Sequence, residues 1–375
     1  MEILSIVFFT IIIIYSIFIA WISYGFNKVR LYEKENSKPI TKFSIVVPFR
    51  NEAENLPGLL YSFSQLNYPR ELFEVVFIDD DSDDESVSII ERFPALSFSF
   101  QIINNERKSN SPKKDAISTA ICFAKNDWIL TTDADCFVHP DWLLTFDDFI
   151  QKTNCEMIAG AVSYDAEGSF LHQFQQMDLM SLQGATIGTF GIGKPFMCNG
   201  ANFGYTKKLF ADLNGFEGND GIASGDDVFL LQKAIRQFPE KVHYLKAFSA
   251  IVFTKPLNDW NALFYQRIRW ASKSTSYDSG FGKVLALIVF AGNLAIVISF
   301  FLTLFSMFSF WNWYLLFALK IFVDFLLLYQ TGKFIQTRMV RHFVFSNLLY
   351  PFFSTAVAFY SFFGKYEWKG RRFKI

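Results

Sequence analysis

The sequence predicts an α/β domain on a mixed, mostly parallel sheet, flanked by helices long enough to cross a membrane. Three observations predict it. Strand-like apolar runs alternate with helical periodicity between residues 43 and 132. Acidic clusters follow two of those runs, and long uncharged stretches lie outside them. Of the 375 residues, 51% are hydrophobic and 47 are Phe, and this excess gathers before residue 27 and after residue 282.

Residues 3–26 carry no charged side chain, more than the roughly 20 residues a helix needs to cross a bilayer core. A cleaved signal peptide would want a basic start, a shorter apolar run and a small-residue cleavage site. Met1-Glu2 and the length of the run favour an anchor instead. Lys28, Arg30, Lys34, Lys38 and Lys42 follow directly. Positive charge stays on the cytoplasmic side, so the amino terminus is expected outside and the domain inside.

Residues 43–48 (FSIVVP) read as a buried strand that ends at Pro48, and residues 52–65 as a helix. A second strand at 73–78 runs into Asp79-Asp80-Asp81, followed by a helix at 86–93 and a third strand at 98–103. A helix at 115–124 precedes a fourth strand at 128–132, which runs into Asp133-Ala134-Asp135. Ligands of such sheets bind beyond the carboxyl ends of the strands, where both acidic clusters fall.

After the domain, residues 284–308 and 310–329 read as two spans joined by a short outer turn, and Lys333, Arg338 and Arg341 mark a cytosolic loop. A simple span over 342–363 would leave Lys365, Lys369, Arg371, Arg372 and Lys374 outside, against the charge rule. The stretch is thus either a simple span or, as the charge rule favours, broken at Pro351 into a hairpin or an interfacial helix. Lys320 and Asp324 lie at i,i+4 within an apolar stretch, either as a self-neutralising pair or in a functional role. The expected organisation is an anchor over 1–27, a cytosolic domain over 28–258, an interfacial segment over 259–282, and a C-terminal membrane region with a basic tail over 283–375.

A formal net charge of −1 gives no basic field for nucleic acid. Cys122, Cys136, Cys155 and Cys198 lie far apart without zinc spacing, which suits reduced thiols.

Four constellations carry chemistry. Asp133 and Asp135 straddle one residue at a strand end, where two carboxylates can share Mg2+ or Mn2+ with a diphosphate. Composition alone gives about one such pair by chance, and the chain has three, so position is what distinguishes this one from a solvated loop. Asp80 can accept hydrogen bonds from a nucleobase imide or a ribose hydroxyl, while Asp83 or Asp84 can cap the next helix. Asp226 and Asp227 follow Gly225 at a helix start, where they serve as dipole caps or as a general base. Gln266-Arg267-Ile268-Arg269-Trp270 pairs a guanidinium suited to a diphosphate with a flat ring suited to a pyranose. Roughly 0.01 chance copies of Q-x-x-R-W are expected. An amphipathic interfacial helix would explain the residue types but not their order.

These sites together resemble the family 2 glycosyltransferases, over nearly the whole chain from Phe43 onward. The membrane-bound branch with cellulose, chitin, hyaluronan and poly-N-acetylglucosamine synthases and ceramide glucosyltransferases is the nearest likeness. VVPFRNE (46–52), FIDDDSDD (77–84), KKDAIS (113–118), TDADC (132–136), CNGANFGYTK (198–207), GDD (225–227) and QRIRW (266–270) are similar to that family's motifs, with Ser118 where Asn is usual and Asp226 where Glu is usual. Trp368-Lys369-Gly370-Arg371 is similar to a C-terminal tag of relatives.

The resemblance implies a nucleotide-sugar-binding, Rossmann-like fold of GT-A type and inverting transfer from a UDP-sugar, aided by Mg2+ or Mn2+. It implies donor contacts by Pro48, Glu52, Asp80, Lys113 and Asp133, and metal on Asp133 and Asp135. It places the acceptor on Gly200, Asn202, Gln266 and Trp270, and assigns catalysis to Asp227 as base with Asp226 and Arg269. The implied partners are membrane lipids and a polysaccharide or lipid acceptor, with an export partner if the product is a polymer. The implied location is the cell membrane, multi-pass, with the catalytic domain cytosolic.

A dinucleotide oxidoreductase is excluded, because the turn after the first strand, PFRNEAEN, lacks G-x-G-x-x-G. A degenerate domain that binds sugar nucleotides without turning them over would have lost acids, and this chain keeps every expected one.

Overall fold

The computed structural model describes residues 2–94, 98–165, 168–219, 224–273, 278–336, 342–363, 365–368 and 371–374, with side chains as far as residue 361. Arg338, Arg341, Lys369 and Gly370 lie outside the described residues. In chain order the elements are α1 (Glu2–Lys28), β1 (Phe43–Phe49), α2 (Leu56–Ser64), β2 (Phe73–Asp79), α3 (Ser86–Arg92), β3 (Ser99–Asn104), α4 (Pro112–Phe123), β4 (Trp128–Thr131), β5 (Cys136–Val138) and α5 (Trp142–Lys152). There follow β6 (Met157–Gly160), β7 (Val162–Tyr164), α6 (Phe170–Gly191), β8 (Phe203–Thr206), α7 (Lys207–Asp212), α8 (Asp226–Gln237), β9 (Val242–Leu245) and β10 (Val252–Thr254). The chain continues with α9 (Trp260–Ala271), α10 (Gly280–Leu304), α11 (Phe310–Phe334), α12 (Phe343–Phe363), β11 (Lys365–Trp368) and β12 (Arg371–Lys374).

Two compact units result. One comprises Arg30–Asp165 and Met197–Lys255; the other comprises Met1–Val29, Ala166–Phe196 and Pro256–Ile375. The continuous domain expected over 28–258 is thus interrupted by the stretch that holds α6.

The first unit is built on a seven-stranded sheet of order β3-β2-β1-β4-β8-β6-β9. β8 runs antiparallel to both its neighbours, and the other pairs are parallel. The predicted strands start and stop within one residue of the observed ones, because β-branched runs fit the pleat and the next polar residue ends each run. Alternate residues divide the sheet: Phe43, Ile45, Val47, Val75, Phe77 and Leu130 join α2, α3 and α5 in one core. Val46, Val76 and Ile129 are buried on the other face, where α4 packs against β1 and β2. A second sheet, β5-β10-β7, was not foreseen from the sequence, since three-residue strands carry almost no periodic signal.

The extended residues 30–42 are strapped to α5 by two buried carboxylates. Asp148 accepts from Tyr32 Oη at 2.6 Å, the Glu35 amide at 2.9 Å and Ser37 Oγ at 2.5 Å; Asp147 accepts from the Thr41 amide at 2.9 Å. Burial alone would raise the Asp148 pKa, but hydrogen bonds from Ser37, Tyr32, Glu35 and Lys152 lower it to about 2.

In the second unit, among the described residues, four helices are long and apolar enough to cross a membrane: α1, α10, α11 and residues Phe343–Ser361 of α12. The expected break at Pro351 is corrected by the structure, in which α12 runs unbroken with Pro351 inside it. An interior Pro removes one backbone donor and costs about 3 kcal/mol or more in an isolated helix; here α12 packs against both α9 and α10, and burial offsets the loss. Lys320, buried, donates to Asp324 at 2.6 Å, and Tyr15 Oη of α1 donates to the same carboxylate at 2.5 Å. The pair is therefore neutralised internally and ties α1 to α11. α6 lies against α1 at glycines: a Cβ on Gly188 would collide with the Ile22 carbonyl, and one on Gly191 with the Gly25 backbone.

Candidate active site

Register decides which residues meet. Phe49 lies opposite Asp79, Asp79 opposite Asn104, and Val46 opposite Thr131. The carboxyl ends of β1, β2, β3 and β4 therefore share one edge. Because β8 is antiparallel and its first residue Phe203 pairs with Thr131, the loop before β8 reaches the same edge. Asp80, Lys113, Asp133, Asp135, Gly200, Asp226 and Asp227 all derive from segments that end there.

Two sharp turns open the edge. Asn51 and Asp81 adopt φ of +51° and +67°, which short polar residues tolerate better than most. Asn51 Nδ2 donates to Asp83 at 2.6 Å, and the Ala53 amide donates to Asp84 at 3.0 Å. The helix expected over 52–65 consequently starts at Leu56, leaving Glu52 and Asn55 in the turn, where Asn55 Nδ2 donates to Glu52 at 2.8 Å. Asp84 also accepts from the Ser86 amide at 2.9 Å, but it stands one residue before the N-cap position, which is Glu85.

Asp80 is buried and accepts from Asn105 Nδ2 at 2.7 Å, with Arg107 Nη1 at 3.5 Å. Arg107 also lies 3.5 Å from Asp115, whose carboxylate accepts from the Lys108 and Ser109 amides and so shapes the loop after β3. Arg50 donates to the Asp80 carbonyl at 2.7 Å. Sequence reasoning missed Asn105, Arg107 and Arg50 as companions of Asp80. The available signal was a polar run, NNERKSN, directly after a strand.

Lys113, in the first turn of α4, donates to Asp133 Oδ1 at 2.6 Å and stands 3.6 Å from Asp226 Oδ2. Burial alone would lower its pKa; Asp133 and Asp226 more than reverse that, so the ammonium is held above its usual range. Asp135 is half-buried, and burial, then the Asp133 and Glu52 carboxylates, push it up to about 6. Asp133 and Asp135 supply hard oxygen donors at a spot where the protein itself places a cation, which suits Mg2+ or Mn2+. Among the described residues no group of three or more His, Cys, Asp or Glu could hold a metal ion.

Gly225, at φ +86°, turns the chain into α8 and sets Asp226 and Asp227 in its first turn. Asp227 Oδ1 accepts from the Val228 amide at 2.7 Å and Oδ2 from the Gly200 amide at 2.8 Å. The first bond joins Asp227 to the next residue within the first turn, while the N-cap position itself is Gly225, which has no side chain to cap with. The second fixes the carboxylate against the loop before β8. Gly200 and Thr131 are joined as well, through Thr131 Oγ1 to the Gly200 carbonyl at 2.7 Å.

Asn202 is a correction. Expected on the acceptor, it is fully buried, donates to the Ala161 and Ala250 carbonyls at 2.7 Å each and accepts from Trp142 Nε1 at 3.2 Å. Its amide is consumed in joining the two sheets to α5. Pro48 sits near the carboxyl end of β1, half-buried.

Gln266, Arg269 and Trp270 lie on α9, in the other unit. There Arg267, which the motif treats as variable, is buried together with Leu263 and Ile268. It donates through Nε to Asp178 of α6 and through Nη1 to Gln266 Oε1, and its guanidinium lies 4.2 Å from the Trp270 ring centroid. Trp260 and Phe264 pack on Phe174 and Phe353, so α9 is seated between α6 and α12.

Residues 44–213 match the family model described as glycosyl transferase family 2. A probable glycosyltransferase of Bacillus subtilis (strain 168), YdaM, is 23% identical over 263 residues, 66% of this chain and 60% of that protein. The poly(ribitol-phosphate) β-N-acetylglucosaminyltransferase TarS of Staphylococcus aureus is 31% identical over 94 residues, 25% of this chain and 16% of that protein. The chain thus spans less than two thirds of either relative. Among solved structures, the mannosyltransferase PcManGT from Pyrobaculum calidifontis, in complex with GDP-Man and Mn2+, shares the fold. Its TM-score is 0.61 at 15% identity, over 96% of this chain and 99% of that one. The segment that supplies Asp80, Lys113, Asp133, Asp135 and Gly200 is thus the stretch similar to the family 2 glycosyltransferases, and it adopts a GT-A type fold.

Proposed function

We propose that the protein is an inverting, metal-dependent glycosyltransferase that passes a sugar from a UDP-sugar to a lipid-linked or polysaccharide acceptor at the cytosolic face of the cell membrane. The observation that carries this reading is the convergence of Asp80, Lys113, Asp133, Asp135 and the Asp226–Asp227 pair on one sheet edge of a domain similar to the family 2 glycosyltransferases. The four apolar helices and the lysines after α1 support the membrane placement.

In this reading Asp80 accepts from the nucleobase imide, Pro48 and Glu52 border the donor, and Lys113 pairs with a diphosphate oxygen. Asp133 and Asp135 hold the divalent cation, which supplies positive charge for the departing diphosphate. Asp227 takes the proton of the acceptor hydroxyl, whose oxygen attacks the anomeric carbon opposite the leaving group. Asp226 keeps Lys113 in place. Gly200 borders the acceptor, while Gln266, Arg269 and Trp270 serve the acceptor sugar and the diphosphate. The likeness to membrane-bound synthases supports these last roles. A lipid acceptor is favoured over a growing polymer, since four apolar helices are few to line a polymer path; a polymer would also require an export partner.

Membranes carrying the protein, incubated with a panel of radiolabelled UDP-sugars, should release UDP and form a lipid-extractable product with one of them. Product that stays in the aqueous phase as long chains would overturn the lipid acceptor, and transfer from GDP-sugars alone would overturn the base assignment. Turnover unchanged by a chelator would overturn the metal.

A further inference from the structure

Lys113 stands where a metal needs room. Its ammonium is 2.6 Å from Asp133 Oδ1 and 3.6 Å from Asp226 Oδ2, and its side chain is 21% exposed. It also feels the Asp227 carboxylate. A Lys ammonium is a compact, mobile point charge. A divalent ion on Asp133 would face that charge at roughly 4–5 Å, given metal–oxygen bonds of about 2.1 Å, and like charges so close repel strongly. A nucleoside diphosphate relieves the conflict because its anionic oxygens accept the ammonium while Asp133 turns to the metal.

We propose that Lys113 is a resident counter-cation that closes the Asp133–Asp135 site to free metal and opens it to metal arriving with the nucleoside diphosphate. The proposal rests on the metal reading above and adds an order to it. Donor and metal bind as coupled ligands, and the exchange of Lys113 from Asp133 to phosphate is the coupling step. No bond to carbon forms or breaks in it; one ion pair replaces another. A side chain that merely packs α4 onto the sheet would not alter the affinity for bare metal in this direction.

The test uses the full-length protein in detergent and equilibrium dialysis of radioactive Mn2+, with and without UDP, and GDP as a second arm. Wild-type protein should take up Mn2+ weakly alone, and about 5- to 150-fold more tightly with nucleotide, the usual range of coupling between two sites. Lys113→Met should bind bare Mn2+ more tightly than wild type, with the nucleotide effect shrunken, whereas Lys113→Arg should behave like wild type. Thermal unfolding checks that each variant is folded, and Lys113→Gln carries the same comparison if Lys113→Met is not. Equal affinity for bare Mn2+ in wild type, Lys113→Met and Lys113→Gln would overturn the role of Lys113 and leave the metal reading standing. No uptake of Mn2+ by wild type with either nucleotide would overturn the metal reading, and this proposal with it.

Discussion

Replacing Asp178 by Ala should cost far more than its distance from the acidic sheet edge suggests. Asp178 and Arg267 form an ion pair whose side chains are 7% and 6% exposed. Removing one partner of such a pair leaves a buried charge uncompensated, at about 3–5 kcal/mol. Arg267 also stacks on Trp270 at 4.2 Å, so Arg267→Met loses in addition about 0.5–2 kcal/mol of cation–π attraction. At roughly 2–4 °C per kcal/mol for units of this size, Asp178→Ala should melt about 6–20 °C lower and Arg267→Met about 7–28 °C lower by tryptophan fluorescence in detergent. The double variant Asp178→Leu/Arg267→Met removes both charges. It should recover most of that loss, because paired apolar side chains replace a buried ion pair at little net cost. Transfer activity separates stability from function. The rescued double variant should still transfer poorly if Arg267 fixes the helix that carries Gln266, Arg269 and Trp270. A single variant that melts with wild type, or a double variant no better than either single one, would refute the reasoning.

Asp227→Asn keeps the shape of the site but cannot take a proton, so transfer should fall about 10²–10⁴-fold while binding of UDP, read by calorimetry, is retained; near-normal turnover removes Asp227 as base. Asp148 has a folded pKa of about 2, below the roughly 3.9 of an unfolded Asp. It therefore contributes stability in full above about pH 4, and this fades as the pH falls toward 2. The contribution is about 2–3 kcal/mol, and Asp148→Asn should flatten that part of an acid-unfolding curve. Gly188→Leu must push α6 off the Ile22 carbonyl. Overpacking of about 1–3 kcal/mol should lower the melting temperature, whereas Gly58→Ala, with open space around it, should not.

Much of the fold was legible because its signal is local. The runs FSIVVP, FEVVFI and WILT are β-branched and apolar and end in polar residues, and each became a strand at nearly the expected bounds. The span α1 needed no more than a count of uncharged residues. α6 escaped notice because glycines, glutamines and methionines alternate along it, and its buried polar face is satisfied by partners far along the chain, such as Leu257 for Gln175. Pro351 misled because the rule against interior proline describes an isolated helix, and α12 is not isolated.

By itself the sequence determined which residue types stand at strand ends: carboxylates at 79–81, 133, 135 and 226–227, with Lys113 at a helix start. That is chemistry written in composition and spacing. Tertiary structure alone decided who meets whom. The antiparallel turn of β8 brings Gly200 to Asp227, and the register of β3 brings Asn105 and Arg107 to Asp80. Burial turns Asn202 from a contact for ligand into a tie between sheets, and pairs Arg267, which the motif treats as variable, with Asp178 of α6. These outcomes depend on pairing between segments up to 89 residues apart, as between Asp178 and Arg267. Local propensity has no reach over such separations; burial and register do.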